Sequence, residues 1–248
     1  MGRATSLLTP RAVAAAALLV ALVVYDEVST HLWHAGIWWD VAWIAVVLLP
    51  AVFALVLLGL PLRRTRPVVL ASIGLTFAVL AAVLTAVDAN VFANLARLGA
   101  TSFLGWWFLT LFEALSWVAL VAAIIPWIDA YSVWRGPTKT ITANHPHVFD
   151  VLSFAFPVPG SIASFQLGVP DLLFFALFLA AADRFGLRVL WTWVTLVGLL
   201  GVTMAITIWA DIDGLPALPA IAIGFLLPNV DRIWRALRTR PTTAVPAP

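Results

Sequence analysis

The chain has 248 residues, 63% hydrophobic and 10% charged, with a formal net charge of +2 and no cysteine. Soluble domains sit near ~45–50% apolar and ~25% charged, so this is a membrane composition, and the missing cysteines exclude disulfide and thiolate chemistry. The near-balance of charge gives nucleic-acid binding no support, and the longest polar-leaning tract, about 136–166, is too short to build a second domain.

A helix needs ~17–25 apolar residues to cross the hydrocarbon core. Eight runs qualify, which predicts an all-α polytopic membrane protein with about eight transmembrane helices. The first, about 11–26, follows Arg3 and Arg11. No small-x-small cleavage site lies in the Tyr25–Thr30 stretch at its end, so it reads as an uncleaved anchor. Runs at about 39–60 and 67–87 come next. The fourth, about 90–109, carries Arg97 among Gly, Ala, Ser and Thr, a composition suited to close packing inside a bundle. The fifth, about 113–134, contains Asp129 at the end of the apolar stretch Trp117–Ile128. In the sixth, about 165–183, Asp171 opens the stretch Leu172–Ala182, with Gly168 and Pro170 just before it. The last two lie at about 187–209 and 214–236, and the eighth opens on Leu215-Pro216-Ala217-Leu218-Pro219.

Basic residues set the expected orientation. With eight spans, Arg3, Arg11, Arg63, Arg64, Arg66, Arg184, Arg188, Arg232, Arg235, Arg238 and Arg240 fall on one side, and only Arg97, Arg135 and Lys139 on the other. The positive-inside rule then places both termini in the cytoplasm and the 135–164 loop outside. Many of the thirteen tryptophans, Trp33, Trp38, Trp39, Trp106, Trp107, Trp134 and Trp234 among them, stand near span ends, as an interfacial aromatic belt does. The pairs His31/His34 and His145/His147 have no third ligand nearby in sequence and read as solvated loop residues rather than a metal site. No phosphate-binding glycine loop or nucleophile elbow is present.

Asp129 and Asp171 carry the chemistry. An ionisable group at membrane depth is costly and marks a functional site by default. Consecutive antiparallel spans place the two carboxyls at similar depth on one side. If their faces meet, repulsion in a low dielectric leaves one proton shared by the pair. The ionised member can then take a proton from attacking water while the protonated member donates to the oxyanion and the leaving nitrogen, as peptide hydrolysis requires. That chemistry needs no metal, cofactor or covalent intermediate. Irregular backbone before Asp171 is tolerated at membrane depth only where protein or a wet cavity covers it. A plain helix start at Pro170 or Pro219 is the simpler alternative.

Three patches in register resemble the presenilin and signal peptide peptidase family of intramembrane aspartyl proteases, in its short prokaryotic form. Asp129-Ala-Tyr-Ser-Val-Trp-Arg is similar to the segment around the family's first catalytic aspartate. Gly168-Val169-Pro170-Asp171 falls on its Gly-x-Gly-Asp, and Pro216-Ala217-Leu218 on its Pro-Ala-Leu. The resemblance covers roughly 90–237, dividing the chain into N-terminal transmembrane helices (1–89), a presenilin-like catalytic region (90–237) and a tail (238–248). It implies a bundle with discontinuous helices at the active site and Asp129 and Asp171 as the catalytic dyad. Gly168, Val169, Pro170, Pro216, Ala217 and Leu218 would bind substrate, and a strand around Val151–Pro159 would pair with the unwound peptide. Substrates would be transmembrane helices or remnant signal peptides in a prokaryotic plasma membrane. Two departures stand out: Ile128 replaces the family's tyrosine, and Pro170 replaces its second glycine, which stiffens the approach to Asp171. The eight spans lack the first of the family's nine. Two other readings stay open: an inactive family member that binds membrane helices, and a proton-coupled carrier.

Overall fold

The computed structural model describes residues 10–135, 153–212 and 215–238. Helix α1 (Pro10–Val28) ends in a 3-10 turn, Ser29–His31. Helix α2 (Ile37–Trp43) passes through a π turn, Ile44–Leu48, into α3 (Leu49–Gly59) and a 3-10 turn, Leu60–Arg64. The π turn lies just ahead of Pro50, whose ring and missing N–H spoil regular α-helical bonding to the preceding turn. Next come α4 (Pro67–Ala86), α5 (Asn90–Leu109) and α6 (Leu115–Arg135). A hairpin of β1 (Ser153–Pro157) and β2 (Ser164–Gly168) leads directly into α7 (Val169–Arg184). Helix α8 (Val189–Trp209) is followed by α9 (Leu218–Leu226), a 3-10 turn at Leu227–Asn229, and α10 (Val230–Arg238).

The protein is therefore a mostly helical membrane protein. Among the described residues, five helical stretches are long and apolar enough to cross a membrane: Pro10–His31, Ile37–Arg64, Pro67–Ala86, Leu115–Ser132 and Val189–Trp209. The fourth expected run forms as α5, but its arginine and small polar residues keep it below that level of apolarity. The sixth differs from expectation at its start. Residues 165–168 belong to β2, and the helix begins only at Val169, because Pro170 fits a first helical turn but not a helix interior. The resulting sixteen-residue helix is about 24 Å long. The eighth run is broken at Leu227–Asn229, where Pro228 lacks the N–H a continuous helix would use and buried Asn229 donates to Thr192 Oγ1 and the Phe225 carbonyl.

Helix α7 is the centre of the bundle. Every residue from Phe175 to Ala182 is buried, so this helix is apolar on all sides, as a helix surrounded by others must be. Phe175 stacks on Phe53 of α3 at 3.8 Å between ring centroids, and Phe178 stacks on Phe225 of α9 at 4.8 Å. Small residues on α5 let it approach closely: a Cβ on Gly105 would sit 2.7 Å from the Leu173 carbonyl oxygen and 3.2 Å from the Ala176 Cβ. Without a strong hydrophobic drive inside lipid, such backbone proximity is how helices gain packing energy.

One end of the bundle is tied by arginine. Arg63 pairs with Asp183, Arg184 donates to the Leu109 carbonyl at 2.7 Å, and Arg188 forks onto Asp231 at 2.6 and 3.0 Å. The opposite end carries the hairpin and the starts of α5, α7 and α9. Because Gly105 leaves no room for a side chain, Gly105→Val is expected to destabilise the bundle by about 1–3 kcal/mol. The measurement is the thermal unfolding midpoint in lipid nanodiscs, and an unchanged midpoint would mean that α5 and α7 do not pack in this way.

Candidate active site

At the hairpin end, two helix starts meet two carboxyls. The first few N–H groups of any helix have no partner within it. Gly168 caps α7, and its N–H donates to Asp171 Oδ2 at 3.1 Å. Asp171 is the third residue of that helix, the position from which a carboxylate reaches back to the cap, so this is one half of a capping box. Gly168 lacks the side chain to complete it. A Cβ there would lie 3.1 Å from the same carboxylate oxygen, tight enough to crowd it. Pro170 occupies the second helical position, where the N–H it lacks would have been unbonded in any case. The stiffness expected from this proline therefore costs the helix no hydrogen bond.

Asp129 is held from another helix. Leu218, the first residue of α9, donates its backbone N–H to Asp129 Oδ2 at 3.0 Å. The break before α9 gives Leu218 its spare donor, and Pro219 at the second position continues the helix without needing one. Helix α9 packs against α6 and also touches α7, so it bridges the elements that carry the two aspartates. The two carboxyls are close enough for the charge of Asp129 to act on Asp171. Both side chains are partly buried.

The sequence expectations thus come together unevenly. Asp129 meets Leu218, Asp171 meets Gly168, and Val169 and Pro170 form the first turn of α7. Pro216 and Ala217 lead into the N–H that binds Asp129, with Ala217 buried. The expected strand forms at Ser153–Pro157, but its free edge is not open along its length. Ala155 exchanges two hydrogen bonds with the Asn94 side chain, both at 3.3 Å, and the Pro157 carbonyl accepts from Tyr25 Oη at 2.9 Å. Val151 and the rest of the segment 136–152 lie outside the described residues.

Sequence reasoning missed Pro126, which stands inside α6 three residues before Asp129. It removes the hydrogen bond to the Ala122 carbonyl and crowds the preceding turn, weakening the helix just ahead of the carboxyl. The run Ile125-Pro126-Trp127 was the available signal. His34, expected to be solvated, has its Nδ1 3.1 Å from Oδ2 of buried Asp40. No group of three or more metal-ligating side chains exists among the described residues. His145 and His147 lie outside them.

A mean helix-centre cost for aspartate of about 2.5–3.5 kcal/mol sets the scale of what must be offset. One hydrogen bond to a charged group contributes about 1.5–3 kcal/mol. A single backbone N–H per carboxyl thus offsets much of the cost of one charge, and does not favour two charges side by side. The arrangement suits a pair carrying one negative charge and one proton, with two helix N-termini supplying positive partial charge.

No family model, no curated protein and no solved structure matches this chain.

The juxtaposition can be checked without any activity, since the chain has no cysteine of its own. Asp129→Cys and Asp171→Cys together should cross-link with a flexible bis-methanethiosulfonate reagent in membranes. Asp129→Cys with Asp183→Cys, at the far end of α7, should not. Equal yields for both pairs would overturn the proximity of the two carboxyls.

Proposed function

We propose that this protein is an intramembrane aspartyl protease of the presenilin and signal peptide peptidase type, hydrolysing peptide bonds of transmembrane segments or remnant signal peptides. The observation that carries the reading is that Asp129 and Asp171, from separate helices, lie within electrostatic reach of each other, each bound through Oδ2 by a backbone N–H from a helix start. Resemblance at Asp129, at Gly168–Asp171 and at Pro216–Leu218 supports the same reading, because those patches supply the two carboxyls and their two donors.

In the proposed mechanism one carboxylate takes a proton from water as the water oxygen attacks the substrate carbonyl. The protonated partner donates to the developing oxyanion to give a gem-diol. The first carboxyl then gives the proton it took from water to the nitrogen as the C–N bond breaks. The partner recovers a proton from a diol hydroxyl as the carboxylic acid product forms. The backbone donors hold each carboxyl by Oδ2 and fix the direction from which substrate and water approach. A substrate helix has to unwind first, since its carbonyls are otherwise hydrogen-bonded. It cannot pair along β1 at Ala155 or Pro157, whose backbone groups are already taken. A cavity of about 380 Å³ lies against the face of the hairpin that carries Ser164 and Gln166.

Eight spans, both termini in the cytoplasm of a prokaryotic cell, and a dyad opening to the outer side complete the proposal. The arginine-tied end, opposite the dyad, would be the cytoplasmic one under the positive-inside rule. A tag placed within 140–150 is expected to label only from outside intact cells; cytoplasmic labelling would overturn this orientation.

The activity test is cleavage of single-span model substrates by the purified protein in lipid, with products located by mass spectrometry. Asp129→Asn and Asp171→Asn are each expected to reduce cleavage within the span by on the order of 10²–10⁴-fold. The wild-type rate should fall on both sides of a pH optimum, since one carboxyl must be ionised and the other protonated. Folded wild-type protein that cleaves no substrate would favour a helix-binding, inactive member. Cleavage that survives both substitutions would place the chemistry elsewhere.

A further inference from the structure

We propose that Asn94 is a positioning residue for Asp171, acting through the hairpin; this rests on the protease reading above. Asn94 is 8% exposed, near the start of α5, and is one of few buried polar side chains among the described residues. Its amide treats Ala155 as a neighbouring strand would: Nδ2 donates to the Ala155 carbonyl and Oδ1 accepts from the Ala155 N–H. Residues of the same parity as Ala155 turn their backbone groups away from β2, so a single side chain fills the place of a third strand. An unmatched buried backbone group costs about 1–3 kcal/mol, and the Asn amide carries a donor and an acceptor on separate atoms, so that one short side chain satisfies two of them.

Asn94 is itself held. Arg97 Nη1 donates to the same Oδ1 at 2.9 Å, and Arg97 Nη2 donates to Thr85 Oγ1 at 2.9 Å, linking α5 to α4. Thr85 in turn donates to the Ala81 carbonyl at 2.8 Å. A continuous polar chain therefore runs from α4 through α5 to β1. From β1 the antiparallel register passes to β2, with Ser153 opposite Gly168 and Ala155 opposite Gln166. Gly168 is the residue whose N–H binds Asp171. No loop intervenes between β2 and α7, so a shift of the hairpin is passed directly to the donor of the carboxyl. Tyr25 Oη on Pro157 and the Ser29 carbonyl, which accepts from Gly160 N–H at 2.7 Å, tie the far end of the same hairpin to α1 and the turn after it. Asn94 is the tie nearest the site.

The experiment uses the full chain in lipid nanodiscs. Amide hydrogen exchange across 153–168 and steady-state cleavage of a single-span substrate are measured for wild type, Asn94→Ala and Asn94→Asp. Asn94→Ala is expected to exchange about tenfold faster in the hairpin, with α8 unchanged, and to lose on the order of 10²-fold in kcat with KM little altered. Asn94→Asp keeps the acceptor for Ala155 N–H and for Arg97 but turns a second acceptor toward the Ala155 carbonyl in place of the donor, so it should recover only part of both effects. If Asn94→Ala does not fold, Asn94→Asp carries the test alone. Wild-type hairpin protection in both variants, or a loss confined to KM, overturns the proposal. If the wild type cleaves nothing, the protease reading fails separately. The cross-link between positions 129 and 171 then replaces kcat: its yield should fall with Asn94→Ala, and an unchanged yield overturns the positioning role.

Discussion

Everything at the candidate site depends on one constraint: a carboxyl within an apolar bundle must find a donor, and the spare N–H groups of helix starts are the donors that carry no charge of their own. Asp171 takes one from the cap of its own helix and Asp129 takes one from the first residue of α9. Helices have to begin at this depth for such groups to exist, which is why the prolines at 170, 216 and 219 cluster here. Had arginine or lysine served instead, each carboxylate would be fixed in its ionised form. Among the described residues the ion pairs lie elsewhere.

The two ends of the bundle use opposite chemistry. At one, Arg63, Arg184, Arg188 and Arg232 tie helix ends to carboxylates and carbonyls. These contacts pin α7, α8 and α10 where water and headgroups can share the charge. At the other, neutral groups do the same work: backbone N–H groups, the Asn94 amide and the Tyr25 hydroxyl. Charged groups at this end include Arg97, which bonds Asn94, and the His34–Asp40 pair.

The hairpin links these features. One face, with Phe154, Phe156 and Leu167, is buried in the core. The other, with Ala155, Pro157, Ser164 and Gln166, lines the polar cavity. Period-two alternation thus gives a short two-stranded sheet an apolar anchor on one face and a cavity-lining surface on the other. An isolated hairpin of this size is marginal in water. Here α1 and α5 supply the missing neighbours, and the same bonds that stabilise it block its outer edge.

Hydrophobic run length located the long helices of the first five runs and the seventh to within a few residues, because crossing an apolar layer demands a minimum of uninterrupted apolar residues. The sixth begins late and the eighth is broken in two. Run length also singled out Asp129 and Asp171, since a carboxyl is conspicuous in such a run. Arg97 and the small residues of the fourth run correctly marked a helix packed among others. What the sequence left undetermined was pairing. Nothing local to Leu218 says that its N–H faces Asp129, 89 positions away, and nothing local to Asn94 says that it completes a strand edge at Ala155, 61 positions away. Residues 165–168 looked like the start of a helix, and became a strand because a partner strand and a first-turn proline made the extended form cheaper. Local composition decides which segments must leave water; only the packed bundle decides which polar groups, left over at their ends, find one another.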